Sequence, residues 1–313
     1  MADPKGLDDL CHLILRKVTG RNLSWALGCE IKRDREAKTI TMTQKGKIGK
    51  LLEKFGFTEC RSATTPLVPG ERLKSVKFNP ELVPVSAAEH TQFMSAVGSI
   101  QYIASVTRPD FAFAASALAQ HFQSSTKEHW VAVRHVMRYL HATQNLRLVF
   151  DGSENNPNVL EAWSDADFAN AEDMRSITGT LIKVFGQTVY WKSNRQATVA
   201  GDTTESELIA LSATCNDVLW FKKLMLDLGF NPGKPSVWGD NRSTICISNN
   251  KLSARKARHL AVKDMRVQEH VAMDRLDVKW CGTKEQQADV LTKVLTGPNL
   301  ADMRDKLNLR LCD

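Results

Sequence analysis

Four carboxylates stand where chemistry could be done: Asp165 in Trp163-Ser-Asp-Ala-Asp167, Glu207 in Thr204-Glu-Ser-Glu-Leu208, Asp240 in Val237-Trp-Gly-Asp-Asn-Arg-Ser243 and Asp289 in Gln287-Ala-Asp-Val-Leu-Thr-Lys293. Hydrolysis of a phosphodiester through two cations needs several acids converging on one point, because the ions must sit about 3.5–4 Å apart to stabilise both attacking and leaving oxygens. Hard cations such as magnesium prefer oxygen ligands. Each acid also has an ordinary explanation. Asp165 and Asp167 suit a turn after a strand, Thr204-Glu-Ser-Glu207 reads as a capping box, Asp240-Asn241 as a turn or cap, and Asp289 as the polar side of an amphipathic helix. The joint pattern is more specific than any member of it: an acid after a first strand, at a helix start, after a second strand and on a last helix. Glu205 and Asp167 stay open as alternatives to Glu207 and Asp165, since helical periodicity does not separate Glu205 from Glu207.

The elements that must position these acids are legible in the hydrophobic rhythm. Strands are predicted at Leu160–Ser164, Gly179–Val184 and Val189–Lys192, then a long helix from about Glu205 to Leu228 and a strand at Ser236–Gly239 before a short helix. A helix near Val262–Ala272, a strand at Leu276–Trp280 and a helix from about Lys284 to Leu295 complete an α/β order with a mixed sheet. Upstream, β-rich runs from Trp25 to Met42 around a charged turn predict a hairpin, and Gln44–Phe55 has helical spacing with Gly56 at its stop. Pro66 to Pro84 breaks the pattern. From Ser86 to His141 three helical segments follow, the second opening at Thr107-Arg-Pro-Asp110 with Thr107 as its cap. The third, His129 to His141, puts Val131, Val133, Val136, Met137 and Leu140 inward and Arg134, Arg138 and His141 outward. Asp151–Asn158 is a turn-rich connector. The division expected is 1–65, 66–150, 157–296 and a tail at 297–313.

Composition bounds the partners. The chain has 313 residues, 42% hydrophobic, and a formal net charge of +7, which suits neutralisation of phosphates. Seven cysteines without a C-x-x-C pair argue against a zinc or disulfide framework and for a reducing compartment. No eighteen-residue apolar run or signal pattern is present, so neither secretion nor a membrane is expected. Trp163, Trp191, Trp220 and Trp238 are expected to pack the core.

Ten ordered segments carry a resemblance: Gly98-Ser-Ile-Gln-Tyr-Ile103, Thr107-Arg-Pro-Asp110, Arg138-Tyr-Leu-His-Ala-Thr143, Trp163-Ser-Asp-Ala-Asp-Phe168, Ser176-Ile-Thr-Gly179, Tyr190-Trp-Lys-Ser193, Thr204-Glu-Ser-Glu-Leu208, Gly239-Asp-Asn-Arg-Ser243, Arg258-His259 and Ala288-Asp-Val-Leu-Thr-Lys293. From about Leu23 to Leu295 the chain resembles the C-terminal part of copia-type LTR retrotransposon Pol polyproteins, namely the primer grip and thumb side of a reverse transcriptase followed by a ribonuclease H domain. The resemblance implies a ribonuclease H-like five-stranded mixed sheet with flanking helices, preceded by a hairpin and a mostly helical thumb and connection segment. It implies that Asp165, Glu207, Asp240 and Asp289 bind two Mg2+ ions, or Mn2+, and cleave the RNA strand of an RNA–DNA hybrid. Other Pol or reverse-transcriptase segments would be partners, in the cytoplasm within a virus-like particle or in the nucleus. The alternative is a truncated or domesticated remnant that binds nucleic acid without cutting.

Three departures from the family pattern stand out. Only Leu7-Asp-Asp-Leu10 resembles the polymerase signature, too close to Trp25, so polymerase activity is not expected. Cys281-Gly-Thr-Lys-Glu285 lacks the histidine that many ribonucleases H carry before the last acid. Gly201-Asp-Thr203 replaces a serine-rich run before the long helix. An integrase would share the fold but place its acids in another order.

Overall fold

The computed structural model describes residues 23–152, 159–169, 171–249 and 262–311. Two five-stranded sheets organise them. The first is antiparallel throughout, in the order β1 (Trp25–Ala26), β2 (Cys29–Asp34), β3 (Thr39–Thr43), β4 (Leu146–Asp151) and β10 (Leu309–Leu311). The second runs β7 (Gln187–Arg195), β6 (Ile177–Val184), β5 (Leu160–Asp167), β8 (Ser236–Gly239), β9 (Asp277–Trp280). Its first three strands are antiparallel neighbours, and β5–β8–β9 are parallel. Parallel neighbours need a crossover. The long helix α5 (Thr203–Asp227) lies in the chain between β7 and β8, while α6 (Arg242–Asn249) and α7 (Val262–Ala272) link β8 to β9.

Alternation along β5 sorts two cores. Leu160 and Ala162 point with Ile182, Val237 and Val278 toward the α5 stripe Leu211, Cys215, Val218. Trp163 lies on the opposite face with Leu181, in a core shared with the helices α1 (Lys45–Phe55), α2 (Ala87–Val106), α3 (Ala112–Ala119) and α4 (Lys127–Ala142). The second sheet is thus roofed on both sides. It is stitched to the upstream half by Trp191 Nε1 donating to the Ala104 carbonyl at 2.7 Å, and to the stretch before β10 by Thr188 N donating to Asn308 Oδ1 at 2.9 Å.

Several expectations are corrected by the structure. The last helix, expected from Lys284 to Leu295, is two short 3-10 turns at Thr283–Glu285 and Gln287–Leu291; Gln286 between them is extended, and its side chain accepts from Ala288 N. Thr107 does not cap the next helix but ends α2, and its hydroxyl donates to Gln44 Oε1 at 2.8 Å. Pro109 does open the following 3-10 turn. Val131 is exposed, because the inward stripe of α4 runs through His129, Val133, Val136, Met137 and Leu140 instead. Trp163 is buried and Trp191 and Trp238 pack against the core, whereas Trp220 lies exposed on the outer side of α5. Residues 297–311 form α8 (Gly297–Lys306) and β10, which pairs with β4. Leu7–Leu10 and Arg255–His259 lie outside the described residues.

The Thr-Arg-Pro-Asp segment supplies a fully buried ion pair. Arg108 bonds both carboxylate oxygens of Asp110, at 2.8 and 2.7 Å, and the carbonyl and hydroxyl of Thr143. Tyr139 donates to Asp110, and Arg304 of α8 reaches the Tyr139 oxygen at 3.2 Å. Removing one partner leaves the other charge buried and unpaired, at about 3–5 kcal/mol. Arg108→Met is therefore expected to lower the melting temperature by on the order of 10 °C. A thermal melt within about 2 °C of the parent would show that the pair contributes little.

Candidate metal centre

Asp165, Glu207 and Asp240 come from three separate elements, and each offers a carboxylate oxygen within 4.8 Å of the others. Asp165 lies near the C-terminal end of β5, on the same face as Trp163, and Asp240 follows directly on β8, the strand parallel to it. Strand ends fix carboxylates rigidly, since the ladder holds the backbone that carries them. Glu207 continues the inward stripe of α5, one turn before Leu211 and two before Cys215, so the helix that packs on the sheet delivers its carboxylate over the strand ends.

The structure separates the two glutamates that periodicity leaves open. Asp202, not Thr204, caps α5: its side chain accepts from Glu205 N at 2.8 Å. Glu205 turns outward and accepts from Gly201 N at 2.6 Å. Glu205 is thus engaged at the helix start, and Glu207 is left to the centre. Asp167, one strand step beyond Asp165 on the same face, is not in the group of three.

Asp289 stands beside this group rather than within it. The 3-10 turn Gln287–Leu291 contacts β5 and β6 and places the buried Asp289 close enough to Asp165 for the two acids to interact. Thr292, fully buried, donates its hydroxyl to Asp165. Lys293 forms an ion pair with Asp289 at 2.9 Å. Neither Thr292 nor Lys293 was singled out for the centre from the sequence, although their i+3 and i+4 spacing from Asp289 puts them on its side of a helical turn. Gln286 holds the start of the turn against β5, its amide donating to the Ser164 carbonyl at 2.8 Å.

The electrostatics are those of carboxylates crowded out of water. Burial, then the charges of Asp165 and Asp240, raise Glu207 to about 9 despite a hydrogen bond from the Ala166 backbone. Burial and Asp289 push Asp165 up to about 7, against the Thr292 hydrogen bond and Lys293. Burial also raises Asp289, opposed by Lys293. Desolvation and like-charge repulsion both disfavour ionisation, so the metal-free centre retains protons that a cation would displace. An all-carboxylate donor set of this kind suits a hard cation.

The close approach of the last acid's turn to β6 depends on a missing side chain. A Cβ on Gly179, the register partner of Asp165, would stand 2.8 Å from Thr292 Cγ2, 2.9 Å from the Ala288 carbonyl and 3.0 Å from Leu291 Cβ. Two of these atoms cannot swing aside. Gly179→Ala is expected to displace the Asp289 turn, costing about 1–3 kcal/mol and reducing metal-dependent activity without removing any charge. An unchanged melting curve together with parental activity would refute that account. The cleft of about 590 Å3 between the helical segment and the β6–β7 edge contains none of the four acids.

A five-stranded sheet with three antiparallel strands, a long helix and two parallel strands, carrying acids at the ends of its first and fourth strands, is a ribonuclease H-like fold. The chain belongs to the Pol polyproteins of copia-type retrotransposons. It is 33% identical over 275 residues to the retrovirus-related Pol polyprotein from transposon TNT 1-94 of Nicotiana tabacum, covering 86% of this chain and 20% of the polyprotein. It is 28% identical over 289 residues to that from transposon RE1 of Arabidopsis thaliana, covering 92% and 19%. The chain thus spans about a fifth of the length of these relatives. It also matches the Secreted RxLR effector protein 161 of Plasmopara viticola at 40% identity over 133 residues, 42% of this chain and 92% of that protein. No family model matches. Among solved structures, LC11-RNase H1 from compost matches 43% of this chain and 93% of its own, with a TM-score of 0.35 and 18% identity. RNase H1 from Halobacterium salinarum matches 46% and 98%, with a TM-score of 0.30 and 16% identity. No described helix is long and apolar enough to cross a membrane.

Proposed function

We propose that this chain is a ribonuclease H that cleaves the RNA strand of RNA–DNA hybrids with divalent metal ions, Mg2+ or Mn2+, held by Asp165, Glu207, Asp240 and Asp289. The observation that carries the reading is the convergence of three carboxylates from β5, α5 and the end of β8 within 4.8 Å of one another. An isolated cluster of this density is unfavourable unless cations neutralise it. When bound, a pair of such ions activates a water and stabilises the leaving oxygen.

The chain's own residues do the rest. Thr292 and Lys293 hold Asp165 and Asp289 in place, and Trp280 fixes the Asp240 backbone by donating its indole N–H to the Asp240 carbonyl at 3.0 Å. Selectivity for a hybrid would come from its shape and from the RNA 2′-hydroxyls, which distinguish the two strands. In this reading residues 157–296 carry the chemistry, and the hairpin and helices upstream act as the scaffold of a reverse transcriptase whose other Pol segments are partners.

The test is incubation of the purified chain with an end-labelled RNA–DNA hybrid, with magnesium and with EDTA. Cleavage confined to the RNA strand and abolished by EDTA is expected. Binding of the hybrid without cleavage in magnesium or manganese would replace the nuclease with a non-catalytic nucleic-acid-binding remnant.

A further inference from the structure

Beside the acid centre lies an arrangement that metal binding does not explain. Trp280 ends β9, and although its indole N–H is anchored on Asp240, the residue remains 45% exposed. The guanidinium of Arg242 lies over that ring, 4.5 Å from its centre, at the exposed first residue of α6. Three other arginines of the fold are engaged by acids. Arg108 is enclosed by Asp110 and Thr143, and Arg175 and Arg195 both pair with Asp173. Among the described residues Arg242 has no carboxylate and no hydrogen-bond partner, only the ring.

Stacking on an indole fixes the plane of a guanidinium without consuming its N–H donors. A flat cation so held on an exposed residue can engage a phosphate through two parallel charge-assisted hydrogen bonds. Position adds to the argument. Arg242 follows Asp240 by two residues and Trp280 bonds the Asp240 carbonyl, so the pair sits beside the acid centre, next to where a bound phosphodiester would lie. The acids themselves repel such a strand until cations bind, and a fixed cation beside them offsets that repulsion.

We propose that Arg242 stacked on Trp280 is a phosphate clamp, holding a backbone phosphate of the nucleic-acid substrate next to the one that is cut. The inference rests on the nuclease reading of the acid centre, and the experiment keeps the two apart. Kinetics of cleavage of a labelled hybrid in magnesium are measured across a potassium chloride series, for the full chain and its variants. Arg242→Ala is expected to raise KM about tenfold with kcat within about twofold. It also flattens the log–log dependence of kcat/KM on salt by about one, the signature of one lost phosphate contact. Arg242→Lys keeps the salt slope, because the charge remains. Trp280→Phe keeps KM and the slope near parental values because a ring remains beneath the cation, and lowers kcat because the indole N–H that holds the Asp240 carbonyl is lost. Trp280→Leu lowers kcat for the same reason and in addition raises KM while preserving the slope, because it frees the cation without removing it. A parental KM and slope for Arg242→Ala in a chain that cleaves would overturn the clamp alone, as would a loss confined to kcat. No cleavage by the parent chain would overturn the nuclease reading and the clamp with it.

Discussion

Asp240→Asn should slow hybrid cleavage by about a hundredfold or more, the scale expected when one ligand of a charge-stabilising centre is lost, while the chain stays folded. The backbone around Asp240 is held without its carboxylate. Trp280 binds the Asp240 carbonyl, Cys281 N binds the Gly239 carbonyl at 2.9 Å, and the neighbouring Asn241 accepts from Thr244 N at 3.0 Å. Asparagine has nearly the same volume, so packing is preserved while a ligand charge is removed. The measurement pairs a cleavage assay with a thermal melt. Parental cleavage by a folded Asp240→Asn protein would remove Asp240 from the centre, and with it the geometric basis for the nuclease reading.

The second large effect is on stability. Glu207 at about 9 and Asp165 at about 7 lie well above the values near 4 of unfolded carboxyls. Between those limits the folded chain binds more protons than the unfolded one, so stability is greatest below about pH 4 on their account and declines as pH rises toward about 9. The decline accumulates at about 1.4 kcal/mol per pH step for each such group, enough to lower the melting temperature in EDTA by roughly 5–10 °C between mildly acid and mildly alkaline buffer. Magnesium or manganese replaces the lost protons as the neutralising charge. Addition of either cation should therefore raise the melting temperature strongly near pH 8 and little near pH 5, where protons compete. Glu207→Gln should flatten the metal-free pH dependence and raise the melting temperature at pH 8. A metal-free chain as stable at pH 8 as at pH 5, and indifferent to cation, would mean the carboxylates do not share a pocket.

The order of strands and helices in the second sheet was legible because each strand is a short apolar or alternating run bounded by turn residues. Ser236–Gly239 and Val262–Ala272 match to the residue, and the long helix begins two residues earlier than expected. Asp165 and Asp240 are candidates from the strand ends, Glu207 and Asp289 from the family motifs, and the structure brings the first three within 4.8 Å of one another. What could not be read depends on contacts between distant segments. Glu205 and Glu207 are indistinguishable by period because α5 is buried on several sides near its start, where Leu208, Ala210, Leu211 and Thr214 leave no polar stripe. The choice falls to Asp202, which caps α5 through Glu205 N from within Gly201-Asp-Thr203, the segment that stands in place of the family's serine-rich run. The turn bearing Asp289 has helical apolar spacing, yet Gln286 is extended and bound to Ser164, a tertiary contact that no local propensity encodes. Strand β4 and residues 309–311 are short, and their pairing partners are remote in the chain.

That last pairing bears on how the molecule is made. Leu309–Leu311 hydrogen-bonds to Leu146–Leu148, and Arg304 reaches the Tyr139–Asp110 network from the same terminal stretch. During synthesis the upstream sheet must wait with an open edge until these residues leave the ribosome, long after the strands they join have been translated. An open edge is a template for wrong partners, and closure across so long a loop is slow. Nascent chains stalled before residue 309 should therefore be the species that chaperones meet.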